Sequence, residues 1–284
     1  MTATLEQSYR YCRQLTQKSA KNFYYSFLVM PPAKRLAMCA IYAFMRRSDD
    51  IADDAASPAA ALDGLRQWRQ QLEKAFNQEP ISDLILPALV DTVRKYRIPQ
   101  RYFFELLDGT EMDQTITRYE NFNALYEYCY RVASCVGLVV LPIFGYEDDK
   151  ALLPAEACGI AFQLTNILRD VKEDAQRGRI YLPLEDLRQF GVTEDDIMNS
   201  RMTPGFLELM KFEVACARDY YRQAEPLLGL IGPDSRGTLA VMIGIYGGIL
   251  DKIEQNNYAV FERRWGLSAR EKLWIVLKNW RRKS

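Results

Sequence analysis

The chain has 284 residues, 49% of them hydrophobic and 26% charged, with 37 Lys and Arg against 37 Asp and Glu. That composition is globular, and it lacks the basic excess of a nucleic-acid binder, so no nucleic-acid partner is expected. Histidine is absent, which excludes Ser-His-Asp and Cys-His catalysis and the imidazole ligands of most zinc sites.

In chain order the periodicity is helical almost everywhere. Leu5, Tyr9, Cys12 and Leu15 make one apolar stripe at spacings of four and three. An aromatic segment, "NFYYSF" (Asn22 to Phe27), precedes a break at Pro31-Pro32. The apolar run "LAMCAIYAFM" then leads into "RRSDDIADD", Arg46 to Asp54, with four carboxylates in six residues. On a helix, Tyr42, Arg46, Asp49 and Asp53 share a face, with Asp50 and Asp54 at its edge. Alone, this turn reads first as solvated charge at a helix end.

After a break at Ser57-Pro58, Leu62, Leu65, Trp68 and Leu72 mark the next stripe. "YEYCYRVA" (Tyr126 to Ala133) and "IGIYGGIL" (Ile243 to Leu250) are further aromatic stretches. Breaks are expected at Pro80, Pro99, Pro142, Pro154, Pro183, Pro204, Pro226 and Gly232-Pro233. Asp148-Asp149 and "TEDDI" (Thr193 to Ile197) read as caps or solvated loop charge. Nothing reads as a signal peptide, and no apolar run reaches the roughly 18 to 20 residues a membrane span needs. The six cysteines are scattered without a CxxC pair and read as reduced core residues of a cytosolic protein. Strand and hairpin signals are weak and no linker divides the chain, so the expected fold is all-α, one helical domain over 1–284.

The stretch "QLTNILRDVKED", Gln163 to Asp174, changes the weighing of the first acidic turn. Gln163, Asn166, Asp170 and Asp174 fall on one helical face, while Leu164, Ile167, Leu168 and Val171 fall opposite. A polar stripe on a core helix needs partners or a metal. Two helices presenting paired aspartates suggest a shared cation. Oxygen ligands without sulfur or imidazole specify Mg²⁺ or Mn²⁺, and Mg²⁺ held by few carboxylates points to a diphosphate substrate. Arg46, Arg169, Arg179, Lys21 and Arg263 are candidates to balance its charge. The tyrosines and phenylalanines of the aromatic stretches would line an apolar pocket and face a carbocation, though each cluster alone reads as plain core.

These stretches resemble the squalene/phytoene synthase family of head-to-head prenyl transferases over nearly the whole chain. The first aspartate-rich motif is "DDIAD" (Asp49 to Asp53) and the second "NILRDVKED" (Asn166 to Asp174), followed by "RGRIYLP" (Arg177 to Pro183); "YCYRVASCVG" (Tyr128 to Gly137) resembles the mid-chain segment. The resemblance implies an isoprenoid-synthase-type helical bundle with a central cavity. It implies that Asp49, Asp53, Asp170 and Asp174, with Asn166, hold Mg²⁺, and that Gln163 and Asn166 orient the cluster. Arg46, Arg169, Arg263 and Lys21 would bind diphosphate; Tyr42, Tyr128, Tyr246 and Phe23 would guard the cation; Asn22, Arg179 and Tyr181 complete the substrate-binding set. Asn22 and Ala20 depart from the small Ser or Gly usual in that segment.

"NFYYSFLVMPP" and "GIYGGILDKIEQNNYAVFERRWGLSAREKLWIVL" resemble bacterial hopanoid-pathway presqualene diphosphate synthases more than phytoene synthases. The expected reaction is therefore condensation of two farnesyl diphosphates to presqualene diphosphate, with squalene beyond it in some relatives. The alternative is phytoene or dehydrosqualene synthesis, and from another class, a catalytically silent helical binding protein. No GxGxxG follows a strand, so NADPH is not favoured as a cofactor. From Arg270 to Ser284 six basic residues stand against one acidic, interleaved with Trp274, Ile275, Val276, Leu277 and Trp280. That segment reads either as an amphipathic contact with the inner face of a membrane or as a last helix with a solvated basic face.

Overall fold

A computed structural model describes residues 4–19, 26–27 and 30–280 of the chain. The fold is all-α, as the periodicity predicts, and among the described residues only isolated bridges, Arg118 with Ile180 and Tyr146 with Ile231, break the pattern. The helices are α1 (Leu5–Ser19), α2 (Pro32–Asp53), α3 (Pro58–Phe76), α4 (Leu86–Tyr96), α5 (Arg101–Thr115), α6 (Phe122–Cys129) and α7 (Cys135–Phe144). They continue as α8 (Leu152–Gln176), α9 (Leu184–Gln189), α10 (Glu194–Met198), α11 (Pro204–Ala224), α12 (Leu227–Leu230), α13 (Pro233–Gln255) and α14 (Ala269–Trp280).

Most boundaries follow the local chemistry. Ser57 caps α3 by accepting from Ala60 N, Asn121 caps α6, Thr203 caps α11, and prolines occupy the first turn of α2, α3, α11 and α13. The acidic pairs read as caps do cap: Asp148 accepts from Lys150 N, and Thr193 with Asp196 forms a capping box. Pro142 does not break its helix; it lies inside the last turn of α7, which ends two residues later at Phe144 and is capped by Gly145 with φ +82°. The buried face of α1 also differs from its apolar stripe. Leu5 is exposed, and Ser8, Cys12 and Thr16 face inward. These small residues let α1 approach its neighbours closely, and their hydroxyls are satisfied, Ser8 Oγ donating to Leu84 O and Thr16 Oγ1 to Cys12 O, both at 2.7 Å.

Between α6 and α7 the backbone widens into a π-helical turn, Tyr130–Ser134, inside one continuous helical stretch. Two helical stretches, 122–144 and 149–176, are long and apolar enough by composition to span a bilayer, which the sequence reading did not expect; more than half of each apolar window is covered by protein. Those windows are the walls of the core. The six cysteines are free thiols, five of them buried.

Two apolar clusters form the core. One joins α1 to α5 with α7 and the start of α8; the other joins α6, the rest of α8, α9, α11 and α13. Helix α8 runs through both and packs along α11 and the π turn. Gly159 of α8 is where the π turn rests: a Cβ there would fall 2.5 Å from Ser134 Cα and 2.6 Å from Ser134 N. Backbone cannot move aside as a side chain can, so Gly159→Ala is expected to cost about 1–3 kcal/mol, read as a lower thermal midpoint. Unchanged stability would show that the π turn shifts freely.

Candidate active site

Between the two clusters lies a cavity of about 420 Å³. Its apolar depth is formed by Phe27, Leu141, Phe144, Leu227 and Leu239, and its polar end by Arg46, Asp49, Asp113, Gln163 and Asn166. Helix α2 supplies Tyr42, Arg46 and Asp49; the end of α6 and the π turn supply Tyr128, Val132 and Ala133; α8 supplies Phe162, Gln163 and Asn166; α13 supplies Met242 and Tyr246. The Tyr246 ring stacks on Phe162 with centroids 4.4 Å apart. The apolar partners of the second acidic helix, Leu164, Ile167, Leu168 and Val171, are buried as the spacing requires.

Charge converges on the polar end. Asp49 lines the cavity and is exposed to solvent at its polar end. Burial, then the neighbouring Asp53 carboxylate, pushes its pKa up to about 6, against the opposing pull of Arg46. Burial and then Asp170 push Asp174 up to about 7. Each also feels Asp113. Carboxyls held this way ionise fully only when further positive charge is brought in, and their donor set is oxygen only, so the residues fit a divalent cation with its diphosphate. Among the described residues no three acidic groups already converge on one point, so such an ion would draw on groups from α2, α5 and α8 together.

The pH response follows. Both folded-state pKa values, about 6 and about 7, lie above the unfolded value near 4, so the native state binds more protons between these limits. Stability of the metal-free protein is therefore expected to fall as pH rises from about 4 through about 7, while stabilisation by Mg²⁺ with diphosphate grows over the same range because ligands must be deprotonated. Thermal midpoints measured against pH with and without these ligands check both signs. Flat profiles would mean the two carboxyls are not held as described.

The structure corrects several placements. Arg46, placed on the face of Asp49 by its spacing, makes its ion pair with Asp50, 2.5 Å away at i,i+4. Tyr181 does not line the cavity. It is buried beneath it and donates to Asp113 Oδ1 at 2.8 Å, while Tyr128 donates to Asp113 Oδ2 at 3.2 Å and Arg179 donates to the Asp113 carbonyl at 2.5 Å. Arg263 lies over the Trp265 ring, 4.4 Å from its centroid. Its neighbour Arg264 reaches the second motif instead, donating from Nε and the terminal nitrogen to Asp170 at 2.6 and 2.9 Å, opposite Arg169 at 2.7 and 2.5 Å. Burial opposes ionisation of Asp170, but these two guanidiniums outweigh it and hold its pKa below the ordinary value. Lys21, Asn22 and Phe23 lie outside the described residues.

Asp113 and Arg264 were not singled out by the sequence. Asp113 had a signal: Leu106, Thr110 and Asp113 stand at spacings of four and three, and all three line the cavity. A carboxylate thus continues an apolar stripe. Arg264 had none, since adjacent arginines on an irregular segment cannot be ranked by spacing. Its pair with Asp170 is more than half exposed on the arginine side, so Arg264→Gln is expected to change stability by less than ~1 kcal/mol. The same change should lower the Mg²⁺ concentration giving a half-maximal thermal shift, because one competing cation is gone; an unchanged or higher requirement would contradict that competition.

Comparison with known proteins adds the family context. A sequence profile described as squalene/phytoene synthase matches residues 16–271. The chain is 42% identical to a 15-cis-phytoene synthase of Synechococcus elongatus, covering 92% of this chain and 89% of that one. It is 40% identical to the 15-cis-phytoene synthase of a Synechocystis species, covering 99% and 86%. A crystal structure of a dehydrosqualene synthase with bound ligand superposes with a TM-score of 0.90 at 32% identity, covering 97% and 96%. The squalene synthase HpnC of Alicyclobacillus acidocaldarius gives 0.84 at 31% identity, covering 89% and 95%.

Proposed function

The chain belongs to the squalene/phytoene synthase family of prenyltransferases, and within it we propose that it joins two geranylgeranyl diphosphates head to head to make phytoene. The hopanoid-type preference read from the end segments gives way here to the alternative, because 42% and 40% identity to phytoene synthases exceeds the 31% to a squalene synthase. The observation that carries the chemistry is the cavity, apolar in its depth and closed by carboxylates of α2 and α5 beside the polar stripe of α8.

Members of the family generally depend on a divalent metal, and Mg²⁺ supplies Lewis acidity toward the leaving diphosphate when bound. Asp49, Asp53, Asp113, Asp170 and Asp174 would hold it, with Asn166 and Gln163, joined by a 3.3 Å hydrogen bond, orienting the face. Arg46 and Arg169, with Arg264 on Asp170, would balance diphosphate charge as it develops. The apolar lining excludes the water that would quench an allylic cation, and the faces of Tyr42, Tyr246 and Phe162 stabilise it. Buried as it is, the Tyr246 hydroxyl, pushed up to about 12, stays protonated. The second prenyl group then attacks through its double bond, the released diphosphate takes the proton, and a cyclopropyl diphosphate forms. Loss of the second diphosphate, rearrangement and a second proton loss give the hydrocarbon without a reductant, so the balance needs no NADPH. Diphosphate release against product tests this reading: two diphosphates per hydrocarbon without NADPH is expected. Arrest at one diphosphate per cyclopropyl product would return the assignment to presqualene-type synthesis.

A further inference from the structure

Two helices run the length of the cavity and meet beyond its apolar end. On α2, Lys34, Met38, Tyr42, Met45 and Asp49 follow one another at spacings of four, four, three and four, and all but Lys34 line the cavity. On α13, Ser235, Leu239, Met242 and Tyr246 stand at spacings of four, three and four, and all but Ser235 line it. Both stripes reach the charged end, in Asp49 and Tyr246. At the opposite end, one turn past the last lining residue of each, they touch through a polar contact: the Lys34 ammonium donates to Ser235 Oγ at 3.0 Å.

An ammonium has three hydrogens, and each of these has an acceptor. Besides Ser235, Lys34 donates to Asp234 Oδ1 at 2.7 Å and to the Phe144 carbonyl at 2.9 Å, and its side chain is only 18% exposed. Phe144 ends α7, where the last carbonyls have no partner within the helix, so one lysine of α2 ties the end of α7 to the first turn of α13. The two chain ends are also joined directly, Gly232 N donating to Gly145 O at 2.8 Å and Tyr146 bridging to Ile231. They close so tightly that a Cβ on Gly232 would fall 2.7 Å from the Phe144 carbonyl oxygen and 3.7 Å from Lys34 Nζ. The deep end of the cavity is thus closed by a junction of chain ends, and Phe144, Leu227 and Leu239, which close it, belong to the elements that meet there.

We propose, on the prenyl-diphosphate reading of the site, that Lys34 is a positioning residue for chain length: its three hydrogen bonds fix the floor of the cavity and so limit the tail that the charged end can hold. Asp49 and Lys34 stand on one unbroken helix, fifteen residues apart, which sets the floor about 22 Å along the axis from the carboxylates. A floor made of chain ends opens at a lower cost than a helix packed along its whole length. With the ammonium gone, the Phe144 carbonyl and the first turn of α13 lose their shared tie, and the Phe144 ring and Leu239 withdraw from the end of a longer tail. Arginine does not substitute, because its donors lie in one plane and cannot gather three acceptors around a single nitrogen.

The test is Lys34→Met, which keeps the stem and removes the donors, read with C20 and C25 prenyl thiolodiphosphates, which bind without being cleaved. Affinities follow from the thermal midpoints of wild type and variant titrated with each analogue in Mg²⁺, so no turnover is needed. In the variant the C25 affinity relative to C20 is expected to rise on the order of tenfold or more, and the C25 to C20 ratio of kcat/KM for the cleavable diphosphates should rise with it. A lower midpoint with an unmoved ratio is what a merely structural lysine would give, and it would overturn the proposal. Should Lys34→Met fail to fold, Ser235→Ala removes one acceptor and keeps the other two; it should move the ratio in the same direction by about two- to threefold, and an unmoved ratio there would overturn the proposal equally. Wild-type protein that binds neither analogue would overturn the prenyl-diphosphate reading and the proposal together, whereas firm binding with an unmoved ratio removes the proposal alone.

Discussion

Asp49→Asn and Asp174→Asn are each expected to lower turnover by on the order of a thousandfold or more while leaving the helical fold intact. Each carboxylate is held against burial and against another carboxylate, with pKa values raised to about 6 and about 7. A cation with its diphosphate relieves that tension in the working enzyme, and an amide cannot carry the charge this requires. The sign on stability separates function from structure. Near neutral pH the amides remove a repulsion, so the metal-free variants should melt no lower than the wild type, and their response to Mg²⁺ with diphosphate should shrink. A variant as active as the wild type would take that residue out of the metal site. A variant that simply unfolds would mean the carboxylate holds the helices together.

Asp113→Asn is expected to cost on the order of a hundredfold in turnover. Asp113 receives the hydroxyls of Tyr181 and Tyr128 and offers its carbonyl to Arg179, so two roles need separating. If it only anchors these partners, Tyr181→Phe should cause a comparable loss, because the 2.8 Å bond from Tyr181 is its shorter tyrosine contact. If its charge faces the cation, Tyr181→Phe should cost only about ten- to twentyfold, since the carboxylate keeps its charge and the Tyr128 hydrogen bond and the one bond lost is worth about 1.5 kcal/mol, the low end for a charged group. Rates of the two variants, measured with the Mg²⁺ dependence of each, decide it.

How far the sequence carried this picture differs by element. Helix existence was legible because Ala37, Ala40, Ile41, Ala43 and Phe44 of α2, or Leu65, Trp68 and Leu72 of α3, repeat at helical spacing and are buried. The polar stripe of α8 was legible for the same reason, and Gln163 and Asn166 do reach the cavity. The π turn at Tyr130–Ser134 was not legible, because the residue it packs on, Gly159, stands on a helix distant in sequence and no local turn signal marks it. Partner choice was the other gap. Arg46 stands three residues before Asp49 and four before Asp50, both within its reach, and the structure shows the pair with Asp50. Likewise the stripe of Leu106, Thr110 and Asp113 marks a cavity wall only once α5 is packed on α2 and the π turn.

The most direct test of the account offers the purified protein equal amounts of farnesyl and geranylgeranyl diphosphate with Mg²⁺ and no reductant, and identifies the products by mass. The account predicts a C40 hydrocarbon built from two C20 units, lost in the Asp49→Asn variant. Presqualene diphosphate from two C15 units as the sole product would contradict it and make the chain a synthase of the squalene branch.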